Sequence, residues 1–176
     1  MMATDESLRL FVAQLADVVY ANDDEDAACA ATVNAAVSLI EGCDHASVMV
    51  DQIGGFVTVA SNDAVGRGID ELESAFGEGP CIDASRTGSV SHVADLQEQS
   101  RWPRLTSRLL DQTSVRAIAG FNLKAGEGRV ASLNLSSDTA GGFEPESISQ
   151  GLMLASVLSL AMQAYHQRHT AATLSK

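Results

Sequence analysis

Cysteine, proline, aromatic residues and positive charge are all scarce in this chain of 176 residues. The three cysteines, Cys29, Cys43 and Cys81, are an odd number at wide spacing, which excludes a disulfide framework and a cysteine zinc motif. No uninterrupted apolar run reaches the 18 or so residues of a membrane span. The acidic N-terminus lacks the positively charged start of a secretory signal. We therefore expect one cytoplasmic domain that does not enter a membrane.

The few positive charges are also unevenly distributed along the chain. Residues 1–80 carry 15 acidic side chains against Arg9 and Arg67, whereas residues 81–176 are close to neutral, and the formal net charge is −12. A surface this acidic repels a phosphate backbone, so direct binding of nucleic acid is not expected. The acidic run at 23–26 lacks the ligand spacing and central glycine of a calcium loop, and it is typical of a helix start.

Apolar periodicity and turn residues predict an alternation of helices and hairpins. Helices are predicted at 5–21, 27–41, 64–76, 80–87, 102–112 and 145–170, and strands at 45–53, 56–61, 89–93, 115–123 and 129–136. Hairpins at both ends of the strand series favour a central antiparallel sheet with helices in separate layers, which is an α+β fold.

Four spaced motifs carry a family resemblance. They read G-E-G-P-C-I-D-A at 77–84, R-T-G at 86–88, V-A-D-L at 93–96 and R-W-P at 101–103. Their order resembles the GAF half of bacterial GAF–ANTAR transcription antitermination regulators. The segments V-A-S-L-N-L at 130–135 and F-E-P-E at 143–146 resemble the last strand and the last helix start of that domain.

The resemblance implies a PAS-related GAF fold with helices on both faces of the sheet and the N- and C-terminal helices packed together on one side. It implies an amphipathic helix at 1–22, a GAF domain at 23–170 and a tail at 171–176. It further implies a non-catalytic sensor of a small molecule, acting in signal transduction or transcription regulation with a signalling partner protein. The sequence given ends at Lys176 without the basic three-helix ANTAR module, so only the sensor half is expected here.

The stretch F-G-E-G-P-C-I-D-A at 76–84 is open to several interpretations. Its glycines and Pro80 could shape a tight turn at a helix start, with Cys81 packed as a small hydrophobe. The open amides of such a helix start could instead hold an anion or lower the pKa of the Cys81 thiol. The stretch lacks the lysine and hydroxyl of a phosphate-binding P-loop.

A candidate ligand pocket follows from the mixture of apolar and polar residues between 76 and 105. Its predicted lining is Phe76, Cys81, Ile82, His92, Trp102 and Leu105. No catalytic residue, metal ligand or cofactor is predicted. Two alternatives stay open: a thiol-dependent redox enzyme similar to GAF-type free methionine sulfoxide reductases, and a dimerisation scaffold without a ligand.

The helix predicted at 145–170 is apolar on two faces, so both faces need a cover. One cover is the sheet, and the other is a second copy of the terminal helices, which predicts a homodimer. The residues predicted at its interface are Phe11, Leu15, Val19, Leu158 and Met162.

Overall fold

The computed structural model describes residues 2–21, 24–98 and 101–175, without the side chains at 2–4, 8, 11, 15 and 18–21. Within these described ranges, six helices surround five strands. The helices are α1 (Met2–Ala21), α2 (Glu25–Leu39), α3 (Ala64–Phe76), α4 (Pro80–Thr87), α5 (Pro103–Gln112) and α6 (Pro145–Leu174). The strands are β1 (His45–Gln52), β2 (Gly55–Ser61), β3 (Val90–Val93), β4 (Ala117–Lys124) and β5 (Val130–Ser137), and a 3-10 turn spans Leu96–Glu98.

Local capping fixes the ends of most helices. The carboxylate of Asp24 accepts hydrogen bonds from the first turn of α2, and that of Asp63 accepts from the Gly66 amide in α3. This confirms that the acidic run begins a helix. Helices α4, α5 and α6 each begin with a proline, where no amide donor is lost. Gly77 and Gly88 end α3 and α4 in the left-handed conformation that glycine favours.

The five strands form one antiparallel sheet in the order β2-β1-β5-β4-β3. The central pair, β1 and β5, aligns His45 with Ser136 and Val50 with Ala131. The chain reaches this pairing after all of α3, α4, β3 and α5. The predicted α+β class and antiparallel sheet are confirmed.

One face of the sheet is apolar and carries the main core. Side chains of β1, β4 and β5 on this face pack against α2 and α6, and α1 contacts both of these helices. The terminal helices therefore lie together on one side, as the resemblance implies. Helices α3, α4 and α5 cover the other face.

The last helix is longer than the sequence analysis predicts, because α6 continues through residues 171–174 of the predicted tail. No glycine or proline interrupts 152–174, so nothing ends the helix at 170. By length and composition α6 could cross a membrane, but half of its apolar window is buried in the fold, as in the core helix of a globular domain.

Candidate functional site

The sheet face under α3 and α4 is polar although it is buried. Strand side chains alternate between faces, so β1 sends Ser47 and Met49 to this side while its neighbours Val48 and Val50 enter the apolar core. The polar residues of this face, called the polar face below, are Ser47, Thr58, Ser132, Asn134 and Ser136. All but the half-buried Thr58 are buried. Such a surface is costly to bury unless its groups find partners.

Asp70 of α3 is the main partner of the polar face. Its carboxylate accepts hydrogen bonds from the hydroxyls of Ser47 and Thr58, both at 2.8 Å, and from the amide of Asn134 at 3.0 Å. Burial raises the pKa of Asp70 to about 6, although the three donors oppose the rise. The carboxylate is therefore charged at neutral pH at a cost to the folded state.

Glu73, one helical turn after Asp70, shows what the glycine-rich stretch at 76–84 binds. Its buried carboxylate accepts a hydrogen bond from the backbone N–H of Cys81 at 3.0 Å, in the first turn of α4. The start of α4 is thus bound by a carboxyl group of the chain itself. Burial and the negative charge of Asp70 raise the pKa of Glu73 well above its ordinary value, against the lowering effect of the amides of Cys81 and Ile82.

Two glycines create the space for this arrangement. A Cβ atom on Gly79 would lie 2.2 Å from the Glu73 carboxylate, and the φ of Gly79 is +138°. A Cβ atom on Gly120 of β4 would lie 2.6 Å from the backbone of Pro80. Helix α4 consequently rests directly on the backbone of β4.

The acidic residues of the same stretch attach α5. The Glu78 carboxylate accepts hydrogen bonds from the backbone amides of Arg104 and Leu105, so it caps α5. It also pairs with the Arg104 guanidinium at 3.0 Å. The Asp83 carboxylate accepts from the Trp102 indole N–H at 2.9 Å. The stretch thus joins α3, α4 and α5 through side chains that sequence reasoning did not pair.

A small cavity lies between the polar face and the helices above it. Its volume is about 10 Å³, near the size of one water molecule. Its lining includes His45, Ile69, Glu73, Pro80 and Asn134. In this conformation the helices are closed onto the sheet.

The six predicted pocket residues do not form one group, and this cavity is not lined by any of them. Cys81 and Ile82 pack against Met49 between α4 and the sheet. Trp102 and Leu105 belong to a separate core under α5. Phe76 is half-buried beneath the guanidiniums of Arg104 and Arg108.

His92 requires a correction to the predicted set, since it lies on the opposite face of the sheet. Strand β3 sends Val93 into the core under α5, so His92, its neighbour, points the other way and meets the ring of Phe143 in the main core. Burial lowers the pKa of His92. A strand of four residues has too short an alternation for the sequence to show which of its side chains point to which face of the sheet.

All three cysteines are free and buried. The Cys81 thiol contacts the Met49 sulfur at 3.2 Å. Burial, followed by the charge of Glu73, raises the pKa of Cys81 well above its ordinary value. Burial likewise raises the pKa of Cys29 and of Cys43 to about 12. The thiols are protonated at neutral pH, and a protonated thiol is a poor nucleophile.

The predicted dimer interface also needs correction. Leu158 and Met162 are fully buried in the main core, because the face of α6 that carries them lies on the sheet. The large apolar side chains that α6 exposes are Leu152, Met153 and Leu160, with Leu174 at its end. The side chains of Phe11, Leu15 and Val19 lie outside the described part of the structure.

Sequence reasoning missed Asp70 and Glu73, the central residues of the site. A helical wheel of 64–76 places both beside the apolar Ile69, which is the available signal for inward-facing acids. The alternation of small polar and apolar residues in 130–137 was a second signal, since it gives β5 one polar and one apolar face.

The sheet order, the helices on both faces and the covered polar face together define a domain of the GAF class. The model of the GAF domain matches residues 22–163, and the chain belongs to this family. None of the curated proteins matches significantly.

Several solved structures share the fold. The free methionine-R-sulfoxide reductase of Neisseria meningitidis, solved with its substrate, is 17% identical with a TM-score of 0.71, over 92% of this chain and 91% of that one. The GAF domain of a phosphoenolpyruvate-protein phosphotransferase from Coxiella burnetii is 17% identical with a TM-score of 0.67, over 95% and 98%. The reduced form of the Staphylococcus aureus reductase is 9% identical with a TM-score of 0.69, over 88% and 94%. At such identities the likeness concerns the fold.

Proposed function

We propose that this GAF domain is a non-catalytic sensor that binds a small polar molecule between the polar face and helices α3 and α4. The buried polar face carries this proposal. A face that served only as core would be more stable with apolar side chains, as the opposite face has. Hydroxyl, amide and carboxylate groups on one surface can instead exchange their mutual hydrogen bonds for bonds to a ligand.

Binding requires α3 and α4 to move, because the closed cavity is too small for an organic molecule. A ligand that prefers the open arrangement shifts the population toward it by its differential affinity. The signal then passes to a partner protein in the cytoplasm.

The rival function is reduction of free methionine sulfoxide, which is favoured by the likeness in fold to two such reductases. Thiol chemistry needs a thiolate that the substrate can reach. The environment of Cys81 opposes both access and thiolate formation. The thiol is fully buried, and Glu73 opposes its ionisation. This observation supports the non-catalytic proposal.

Thermal unfolding with a panel of free amino acids, including methionine R-sulfoxide, tests both functions. A compound at about 100 times its Kd stabilises the fold by about 2.7 kcal/mol, which raises the Tm by roughly 5 to 10 °C. The isosteric variant Thr58→Val loses a hydroxyl of the polar face and should reduce this shift. Thr87→Val, on the exposed side of α4, is the matched control.

The same samples are assayed for sulfoxide reduction with dithiothreitol as the reductant. We expect no turnover above the rate without protein. Turnover that disappears in Cys81→Ser would establish the reductase and overturn the sensor proposal. A Tm that stays constant with every compound of the panel counts against sensing of this class of ligand.

We further propose that the domain acts as a homodimer through α1 and α6. Support comes from the apolar side chains that these helices expose. Leu152, Met153 and Leu160 follow one side of α6, and Leu10 of α1 is 60% exposed. Pairing two copies would bury these side chains in a four-helix arrangement.

Light scattering at micromolar concentration should give a mass of about 37 kDa, twice the 18.4 kDa of one chain. Leu160→Glu should lower the mass to that of one chain and leave the circular dichroism unchanged, because Leu160 is exposed within the single chain. Thr170→Glu, also exposed on α6, should remain dimeric. A mass of one chain for the wild type across the concentration range refutes the dimer.

A further inference from the structure

A half-buried histidine connects three segments at the edge of the polar face. The His45 Nδ1 atom lies 2.6 Å from an oxygen of Asp63, which precedes α3. The Nε2 atom lies 3.0 Å from an oxygen of Asp138, which follows β5. We call His45, Asp63 and Asp138 the histidine clamp. The side chain of His45 is 11% exposed, whereas those of Asp63 and Asp138 are 34% and 40% exposed, so the ring is shielded but the carboxylates reach solvent.

The geometry of the histidine clamp requires a doubly protonated ring. Each ring nitrogen faces a carboxylate oxygen, and an ionised carboxylate can only accept a hydrogen bond. Both nitrogens must therefore donate, which only the imidazolium form can do. Neutral imidazole would turn one lone pair toward a carboxylate and lose that contact.

In the described part of the structure, the charged side chains that hydrogen bond with His45 are both acidic, and two further acidic residues lie nearby. Asp44 precedes it in the chain and accepts a hydrogen bond from the Asp138 amide at 2.8 Å. Glu73 of α3 lines the same cavity as His45. Asp63 and Asp138, which contact the ring directly, favour its protonated form.

The histidine clamp holds the start of α3 against the sheet. Asp63 is the N-cap of α3 and accepts from the Gly66 amide at 2.9 Å, so its carboxylate joins His45 to the first helical turn. Gly66 packs closely on β1, where a Cβ atom would lie 3.2 Å from the Ala46 carbonyl oxygen. His45 and Gly66 both line the cavity. Loosening this turn would open the cavity at the end where α3 begins.

We propose that the histidine clamp is a proton-operated latch: protonated His45 keeps α3 closed over the polar face, and loss of its proton to solvent releases the first turn of α3. As regulation of ligand access, this inference rests on the proposed sensing function. The opening itself is a property of the chain without ligand, so it is tested separately.

The direction of the pH effect follows from the pKa of His45. Burial opposes the charge, but the hydrogen bonds and charges of Asp63 and Asp138 outweigh it and raise the pKa above its ordinary value. The stability that the clamp contributes is therefore fully present below pH 6.5, the ordinary value. It is lost as the pH rises through the folded-state pKa of His45.

Hydrogen exchange of the ligand-free chain between pH 6 and pH 9 measures this opening. After correction for intrinsic exchange rates, protection of the amides at 66–69 should fall roughly tenfold, the effect of one charged hydrogen bond. Protection of the Phe121 amide in β4 should fall less. An NMR titration should show that the His45 ring loses its proton over the same pH range.

Asp63→Asn is the most informative variant, because asparagine keeps the cap of α3 and removes the charge. It should lower the pKa of His45 and reduce the protection of 66–69 already at pH 6. His169→Gln, an exposed histidine of α6, is the control and should behave as the wild type. Equal pH profiles for 66–69 and Phe121, or a His45 that is neutral at pH 6, overturn the latch. Either result leaves the ligand test of the sensor proposal unaffected.

Discussion

Gly120→Ala should lower the free energy of unfolding by about 3 kcal/mol, which is at the upper end of the effect of overpacking. The added Cβ atom would lie 2.6 to 2.7 Å from backbone atoms of Pro80 and Cys81. Backbone cannot rotate away as a side chain can, so α4 must move off the sheet. That movement also pulls the Cys81 amide from the Glu73 carboxylate, which leaves a buried acceptor short of a donor.

Urea unfolding measures the effect, and Gly68→Ala provides the matched control. Gly68 lies inside α3, and a Cβ atom there meets no atom within 4 Å. Alanine is the better helix former, so this control should gain about 1 kcal/mol. Equal stabilities of the two variants would show that α4 does not rest on Gly120 as described.

Asp70→Asn should raise the free energy of unfolding at pH 8. This gain over the wild type should become smaller as the pH is lowered. The raised pKa means that the folded chain binds the Asp70 proton more tightly than the unfolded chain does. This contribution of Asp70 is present below its ordinary pKa of 3.8 and is lost as the pH rises to about 6. Asparagine does not ionise, so the stability difference from the wild type should change by about 3 kcal/mol across that range.

Urea unfolding at several pH values between 4 and 8 gives this difference. Glu71→Gln, the exposed neighbour on α3, removes the same charge outside the site and is the control. If the wild type and Asp70→Asn respond to pH in parallel, Asp70 does not carry the cost of a buried charge. If Asp70→Asn is more stable than the wild type but its Tm no longer rises with ligand, the buried charge of Asp70 is retained because it serves binding.

The sequence predicts the helices around the site well, because their ends depend on neighbouring residues. The bounds of α3 and α4 match the prediction, and each of these helices has its start signal and its closing glycine within the local sequence. Four spaced motifs sufficed to predict the family.

The site itself depends on pairings that local sequence does not contain. Asp70 contacts Asn134 across 64 residues of sequence, and the local sequence around either residue does not indicate the other as its partner. Leu158 was predicted on the wrong face because α6 is apolar around most of its circumference, so periodicity does not distinguish the side on the sheet from the exposed side. Tertiary packing determines which side of α6 lies on the sheet, just as it determines the face on which His92 lies.

The strand order has a consequence for how the chain folds. The central strands β1 and β5 pair residues as far apart as His45 and Ser136, and closing so long a loop is entropically costly and slow. The contact of Glu73 with Cys81 spans eight residues and needs no sheet. We therefore expect α3, the glycine-rich turn and α4 to associate early as a local unit, with pairing of β1 and β5 as the late step that completes the apolar core.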